Sequence, residues 1–417
     1  MSYIVVGNSA AGLFAVEEIR RHDTQSEIIV LTAEEERSYS RCLTTYFLAG
    51  DIPASRLYLR DFNFAETLNI TIVYGVEVSG IDPARQRVQS TDGREWEYSK
   101  LLLAMGASAN KLLIRGGNLP EVFTLRTMKD ALAINRVLEQ GAQKAVVIGG
   151  GLVSLKSAYA LKKRGLSVRV LIASGQILSQ MLDHTAAGLL QRHLENNGLN
   201  FFLKTEAEAI VGENHVQGVS IGPQTELPAD LVVVGKGVSP NIGGLSQAGF
   251  KIGRGLQVDS SLATNLPNIY AAGDIVETWD VVLQKFTVNA TWPNATVQGR
   301  IAGANMCGGG EIYQGSLSLN SVDFFGLSAM SVGITKLPDS TGQENWSQAE
   351  TLKMVGGVPI YSKLLWQGTI LKGFVLVGDT SQCGVLTALV KTGRSLSKTE
   401  MDLAMGKRGT LLVGISK

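Results

Sequence analysis

Apolar residues along this chain fall into short runs that recur in a fixed order with small-residue turns. Tyr3–Val6 and Ile28–Leu31 are continuous apolar runs of strand length, and Leu13–Arg20 between them carries its apolar residues at helical spacing. The same order returns further on. Ala145–Ile148 predicts a strand, Gly149-Gly150-Gly151 a turn, Leu152–Arg164 a helix and Ser167–Ile172 a second strand. Two more apolar strands, in Leu101–Ala107 and Leu231–Gly237, follow the two units. Strands apolar throughout are buried on both faces, which is the pattern of parallel sheets covered by helices. From about Ser316 the texture changes to alternating strands. Ala329–Ile334, Lys363–Trp366 and Leu371–Val377 precede a helix at Gly384–Thr392, predicting a small α+β C-terminal domain.

Composition narrows the class. The chain has 417 residues, 45% hydrophobic and 18% charged, enough for two or three domains with large cores. A formal net charge of +1 without a basic block gives nucleic acid or an anionic membrane no electrostatic handle. No apolar run approaches the ~20 residues that span a bilayer. The N-terminus enters a strand without a basic n-region, so the cytoplasm is the expected location. The three cysteines, Cys42, Cys307 and Cys383, are far apart. They suit neither a disulfide scaffold nor an iron–sulfur cluster held by this chain alone. The four histidines show no ligand spacing, so no metal site is expected. Cys307 and Cys383 read as buried apolar residues.

The turns carry the chemistry. In Gly7-Asn8-Ser9-Ala10-Ala11-Gly12, small residues let the backbone approach a pyrophosphate, and the helix that follows points its unpaired N–H groups and positive dipole end at it. A carboxylate after the second strand should hold ribose hydroxyls. Glu34 and Glu35 stand there, with Glu34 favoured. The second turn, Gly149–Ser154, has the same form, but its second strand ends on Ile172, and no Asp or Glu follows until Asp183. Ribose contacts then fall to the backbone and Ser174, or nucleotide binding is weak or selective. No arginine pair is present for a 2′-phosphate, which favours NADH over NADPH by a small margin. A third segment, Ile269-Tyr270-Ala271-Ala272-Gly273-Asp274, ends a strand on a carboxylate that can accept from ribityl hydroxyls of a flavin. Read alone, Asp274 would be a helix N-cap, but here it follows two nucleotide turns in the right order.

Together these segments resemble the FAD-dependent pyridine nucleotide–disulfide oxidoreductase family. Gly7–Gly12, Leu101–Ala107, Gly149–Ser154, Gly235-Lys236-Gly237-Val238-Ser239-Pro240-Asn241 and Ile269–Asp274 stand in that family's order. The resemblance implies an α/β fold with two Rossmann-like dinucleotide-binding domains. An FAD domain (1–110 and 242–315) is split around an NAD(P)(H) domain (111–241), followed by an α+β interface domain (316–417). It implies FAD contacts at Gly7, Ser9, Ala10, Ala11, Gly12, Glu34, Glu35, Arg41, Cys42, Val78, Met105, Gly106, Gly273, Asp274, Trp292 and Pro293. NAD(H) is implied as cosubstrate, with NADP(H) not excluded, at Gly149, Gly151, Leu152, Val153, Ser174, Gly235 and Gly237.

Within the family the chain lacks the C-x-x-x-x-C pair and C-terminal histidine of the dithiol reductases. Its lone Cys42 is in register with the redox cysteine of the NADH peroxidases, NADH oxidases and coenzyme A disulfide reductases. There, at a helix N-terminus, a thiol would have a lowered pKa. Against this, the peroxidases and oxidases have a histidine at Ala10 and a Ser-Cys-Gly context, where this chain has Arg41-Cys42-Leu43. The Tyr39-Ser40-Arg41 context, Ala290–Ala295, Gln298–Gly303, and Lys372-Gly373 with Val377-Gly378-Asp379 instead look like the flavin domain of nitrite reductase and the rubredoxin and ferredoxin reductases. Related flavin subunits serve 2-oxoacid and aldehyde oxidoreductases. That branch passes electrons to an external iron–sulfur or iron centre without using a cysteine of the flavin chain. The alternatives are a single-cysteine disulfide, persulfide or polysulfide reductase using Cys42, or a redox-sensing flavoprotein. Lys156, where most members carry an acid facing the nicotinamide, reads as a solvated side chain. The interface domain implies a homodimer, or contact with other subunits of a heteromeric complex.

Overall fold

The computed structural model describes residues 1–337 and 345–406. The stretches 338–344 and 407–417, both within the 316–417 span, lie outside the described residues. The chain opens with β1 (Ser2–Val6), α1 (Ala10–His22), β2 (Glu27–Leu31), β3 (Thr71–Val73) and β4 (Lys100–Leu103). A second series follows: β5 (Val122–Phe123), α2 (Met128–Glu139), β6 (Lys144–Ile148), α3 (Leu152–Lys163), β7 (Ser167–Ile172), α4 (His184–Asn196), β8 (Leu199–Leu203) and β9 (Leu231–Val234). The chain then returns to the first sheet through β10 (Ile269–Ala271) and α5 (Trp292–Met306). It ends with β11 (Leu319–Phe324), β12 (Leu327–Gly333), β13 (Trp346–Val355), β14 (Val358–Gln367), β15 (Ile370–Val377), α6 (Cys383–Thr392) and α7 (Lys398–Ala404).

The first sheet is parallel, in the order β10-β4-β1-β2-β3, and the second is parallel, in the order β8-β7-β6-β9-β5. Both orders place the first strand of each βαβ unit in the middle, because right-handed crossovers carry the next strand to one side and later strands to the other. β1, β4, β6 and β9 are buried along nearly their whole length, which explains their unbroken apolar runs. β10 reaches the first sheet from far along the chain, so that sheet is assembled from segments on both sides of the second.

The C-terminal sheet is antiparallel, in the order β11-β12-β15-β14-β13, and α6 packs on one face of it. Its other face shares a core with the second sheet's layer, where Val322, Phe324, Ala329, Tyr361, Val375 and Val377 meet Leu161, Leu190 and Leu194. Strand β13 escaped the sequence pattern because both its faces are largely exposed, so it does not alternate. The signal it did leave is Gly356-Gly357 between β13 and β14, with φ of 57° and 82° as a tight hairpin turn requires.

No helix of the described residues is long and apolar enough to cross a membrane.

Candidate functional site

The two glycine turns share their backbone anchoring. Gly7 N donates to Leu31 O, and Gly149 N donates to Leu171 O, both at 2.8 Å. Their φ values are 116° and 122°, a region open to glycine and costly for other residues. A Cβ on Gly7 would stand 2.1 Å from Ala104 O, and one on Gly149 2.4 Å from Gly235 O. Each turn is thus pressed against the end of the neighbouring strand, leaving its outer side open. Gly12 closes the first turn, where a Cβ would meet Gly7 O at 1.8 Å. The equivalent Ser154 is buried and donates its hydroxyl to Gly235 O at 3.1 Å, which is why a serine is tolerated there.

Helices α1, α3 and α5 all begin at this end of the sheets. Ser9, Gly151 and Thr291 are their N-caps, none makes a side-chain capping bond, and no acid lies in any first turn. By contrast, α2 and α4 are closed by Thr127 and Asp183. Uncapped N–H groups and an uncompensated dipole end are what a phosphate or carbonyl oxygen needs. The residues present therefore fit a dinucleotide at both turns. Leu152 and Val153 form the first turn of α3, with Val153 exposed. α1 and α5 cross closely because a Cβ on Gly299 would lie 2.2 Å from Ala11 O and one on Gly303 2.6 Å from Ala15 O. The glycines of the Gln298–Gly303 motif are packing residues, while Gln298 Oε1 accepts from Gly273 N at 2.8 Å and fixes the turn before Asp274.

A polar chain crosses this end of the molecule. Glu34 accepts from Tyr39 Oη at 2.5 Å and is paired with Arg41, whose Nη1 donates to Arg126 O at 3.0 Å. Arg126 in turn donates to Asp274 Oδ2 at 2.7 Å and to Ala107 O at 3.1 Å. Asp274 is therefore not a helix N-cap; it is held by a guanidinium from the segment before α2. Burial raises the Tyr39 hydroxyl well above its ordinary pKa, so it stays a donor to Glu34. Arg126 was not legible as a site residue, because its only sequence context is the ordinary capping segment before α2. Glu35 is exposed, its Oε1 2.5 Å from the position a Cβ on Gly75 would take. Val76 N donates to Thr32 O at 2.8 Å, fastening the next segment to the end of β2. Val78 stands two residues further on, at the start of a small antiparallel sheet. Met105 and Gly106 are bound to the Gly235–Asn241 segment, since Asn241 N donates to Gly106 O at 3.0 Å and its Nδ2 to Met105 O at 2.8 Å. Gly237 O accepts from Asn110 N at 3.0 Å in the same join. Trp292 and Pro293 open α5.

Cys42 lies in a single 3-10 turn, Arg41–Leu43, and is exposed as a residue. The thiol itself is crowded enough that burial is the largest influence on it and raises its pKa, contrary to the lowered value expected from position alone. Lys156 and Arg126 pull it down and Asp274 pushes it up. Lys156 is not a solvated side chain. It is half-buried with its ammonium 5.4 Å from the centre of the Tyr46 ring, and burial lowers its pKa while Cys42 raises it. Cys307 and Cys383 are half-buried rather than fully buried. Cys307 lies 3.6 Å from Tyr3 Oη, and Cys383 belongs to the C-terminal core. No group of three or more metal-ligating side chains occurs among the described residues.

The second turn borders a groove of about 310 Å³ lined by Gly149, Gly150, Ile172, Ser174, Gly235 and Lys236, among others. Ser174 Oγ donates to Gln176 O at 2.9 Å.

Residues 1–299 match the family model described as pyridine nucleotide-disulphide oxidoreductase. The chain belongs to that family. It is an FAD- and NAD(P)(H)-dependent oxidoreductase. An NADH oxidase of Methanocaldococcus jannaschii is 35% identical to it over 74% of this chain and 70% of the relative. The assimilatory nitrate reductase electron transfer subunit of Bacillus subtilis is 32% identical over 90% of this chain, which spans about half (47%) of that relative. Among solved family members, an NAD-dependent persulfide reductase from A. fulgidus superposes with a TM-score of 0.87 at 30% identity, covering 95% of this chain and 77% of that one.

Proposed function

We propose that the protein passes electrons between a nicotinamide nucleotide and an external iron–sulfur protein or subunit through bound FAD. In this reading FAD lies against the first turn, with its pyrophosphate on the N–H groups of α1 and its ribose hydroxyls toward Glu34. Asp274, oriented by Arg126, accepts from the ribityl chain, and the start of α5 at Trp292 and Pro293 closes the far end. The nucleotide lies against the second turn, Gly149, Gly151, Leu152 and Val153, with Ser174, Gly235 and Gly237 beside it. The divided domain arrangement proposed from the sequence, 1–110 with 242–315, 111–241 and 316–417, goes with this placement. Bound FAD supplies hydride exchange with the nicotinamide and onward electron transfer. The chain's residues position both nucleotides and fix Asp274 and Glu34 in ion pairs with Arg126 and Arg41.

The observation that carries the reading is the state of Cys42. It forms no disulfide, and burial favours its protonated form, which disfavours a thiol relay within the chain. The nitrate reductase electron transfer subunit supports the same direction. The test is to isolate the protein with its native partners and add NADH. Bleaching of a partner's iron–sulfur absorbance through this chain is the expected result, and partners without iron would count against it. A cytoplasmic location, where free thiols stay reduced, accords with this reading.

A second reading, a single-cysteine persulfide or disulfide reductase, draws on Lys156. Its positive charge lowers the Cys42 pKa and would stabilise a thiolate once formed, and the A. fulgidus relative is named for such a reaction. It requires a thiolate-to-flavin charge-transfer band after NADH addition.

A further inference from the structure

The nucleotide turn lacks its expected ribose carboxylate, and the segment that follows β8 brings another carboxylate to the same groove. Ile172, at the end of β7, is 1% exposed. Its Cγ2 stands 2.8 Å from the place a Cβ on Gly150 would take. Its side chain fills space behind the turn and offers no hydrogen bond. Ser174 has committed its hydroxyl proton to Gln176 O.

The chain leaving β8 is stitched alongside the end of β7 by two main-chain bonds. Lys204 N donates to Ser174 O at 3.1 Å and Thr205 N donates to Ile172 O at 3.0 Å. These bonds carry Thr205 and Glu206 to the wall of the same groove that Gly149, Gly150, Ile172 and Ser174 line. Thr205 Oγ1 is committed to Leu203 O at 3.0 Å. Glu206 is exposed and carries no hydrogen bond or ion pair among the described residues.

We propose that Glu206 is the specificity-determining residue of the nicotinamide nucleotide site, accepting hydrogen bonds from the adenosine ribose hydroxyls in place of a carboxylate on β7. The inference rests on a nucleotide lying against the second turn. A carboxylate with free lone pairs suits a vicinal diol and repels a 2′-phosphate, so the site selects NADH over NADPH. Two cations oppose it. Lys204 reaches the same corner, its Cε 3.5 Å from the place a Cβ on Gly175 would take, and Lys236 lines the groove beside Gly235. Lys236 follows Gly235, the residue against which Gly149 of the turn packs, whereas Lys204 is bonded through its backbone to Ser174 beyond the end of β7. That leaves Lys204 as the competing charge at the ribose end.

The test is calorimetric titration of the FAD-loaded protein with ADP and with 2′,5′-ADP, probes that carry the ribose but need no turnover. The wild type should bind ADP more tightly than 2′,5′-ADP. Glu206→Gln should weaken ADP by about tenfold and narrow or reverse the preference, as expected for losing a hydrogen bond to a charged group. Lys204→Gln should widen the preference by weakening 2′,5′-ADP. Wild-type affinity for ADP in Glu206→Gln, a wild-type preference for 2′,5′-ADP, or no ADP binding by the wild type would each overturn the proposal. Because no electron acceptor takes part, these outcomes are independent of whether an iron–sulfur partner exists.

Discussion

Arg126 Nη2 donates to Asp274 Oδ2 at 2.7 Å, joining a residue just before α2 to one that follows β10. The pair is half-buried, with side-chain exposures of 25% and 17%, and Arg126 also holds Ala107 O and receives Arg41 at its own carbonyl. Arg126 thus ties together three segments, its guanidinium holding those of Gly106 and Asp274 and its carbonyl that of Cys42.

Replacing Arg126 by Ala leaves Asp274 and Ala107 O without this donor, and should cost about 2 kcal/mol of stability. FAD retention should fall with it. Arg126→Lys keeps the charge without the forked geometry and should lie between the two. Melting temperature and FAD content of purified protein measure both effects, and wild-type values for Arg126→Ala would contradict the account.

Gly7→Ala places a Cβ 2.1 Å from Ala104 O at a φ of 116°. Strain and clash together should cost at least about 3 kcal/mol, and the protein should emerge depleted of FAD. Gly151→Ala is the control in the other turn. No atom lies within 4 Å of its Cβ position, so the fold should be nearly unaffected.

Cys42 and Lys156 have opposite pH signatures. Burial raises the Cys42 thiol above its ordinary 9.0, so the folded chain keeps that proton longer than the unfolded one. Its stabilising contribution is whole below pH 9 and declines above it. Lys156 is lowered from 10.5, so the folded chain releases its proton earlier, and this group adds stability as pH rises toward 10.5. Iodoacetamide should therefore alkylate Cys42 with a rate that climbs through a midpoint above pH 9. Lys156→Met should push that climb further upward by removing the nearby cation. A midpoint near neutrality would show a thiolate already present, favouring the persulfide chemistry.

The parallel sheets were legible because burial on both faces leaves continuous apolar runs. β1, β6 and β7 sit where the runs Tyr3–Val6, Ala145–Ile148 and Ser167–Ile172 predict them. The glycine turns were legible because only glycine suits φ near 120° beside a neighbouring carbonyl. What the sequence hid are relations between segments remote from each other. Nothing local marks Arg126 as the partner of Asp274, and Glu206 enters the groove only through the pairing of β7 with β8. Lys156 read as a surface residue, since Tyr46 and Cys42 approach it only once the Arg41–Leu48 segment folds onto α3.

The central claim is that electrons leave this chain without passing through a cysteine. The direct measurement is NADH-driven ferricyanide reduction by the FAD-loaded Cys42→Ser protein, alongside the rate of flavin bleaching by NADH. The account predicts both rates within about twofold of wild type, since a change at an uninvolved site costs little transition-state energy. Loss of turnover in Cys42→Ser, with FAD still bound and still bleached by NADH, would contradict it.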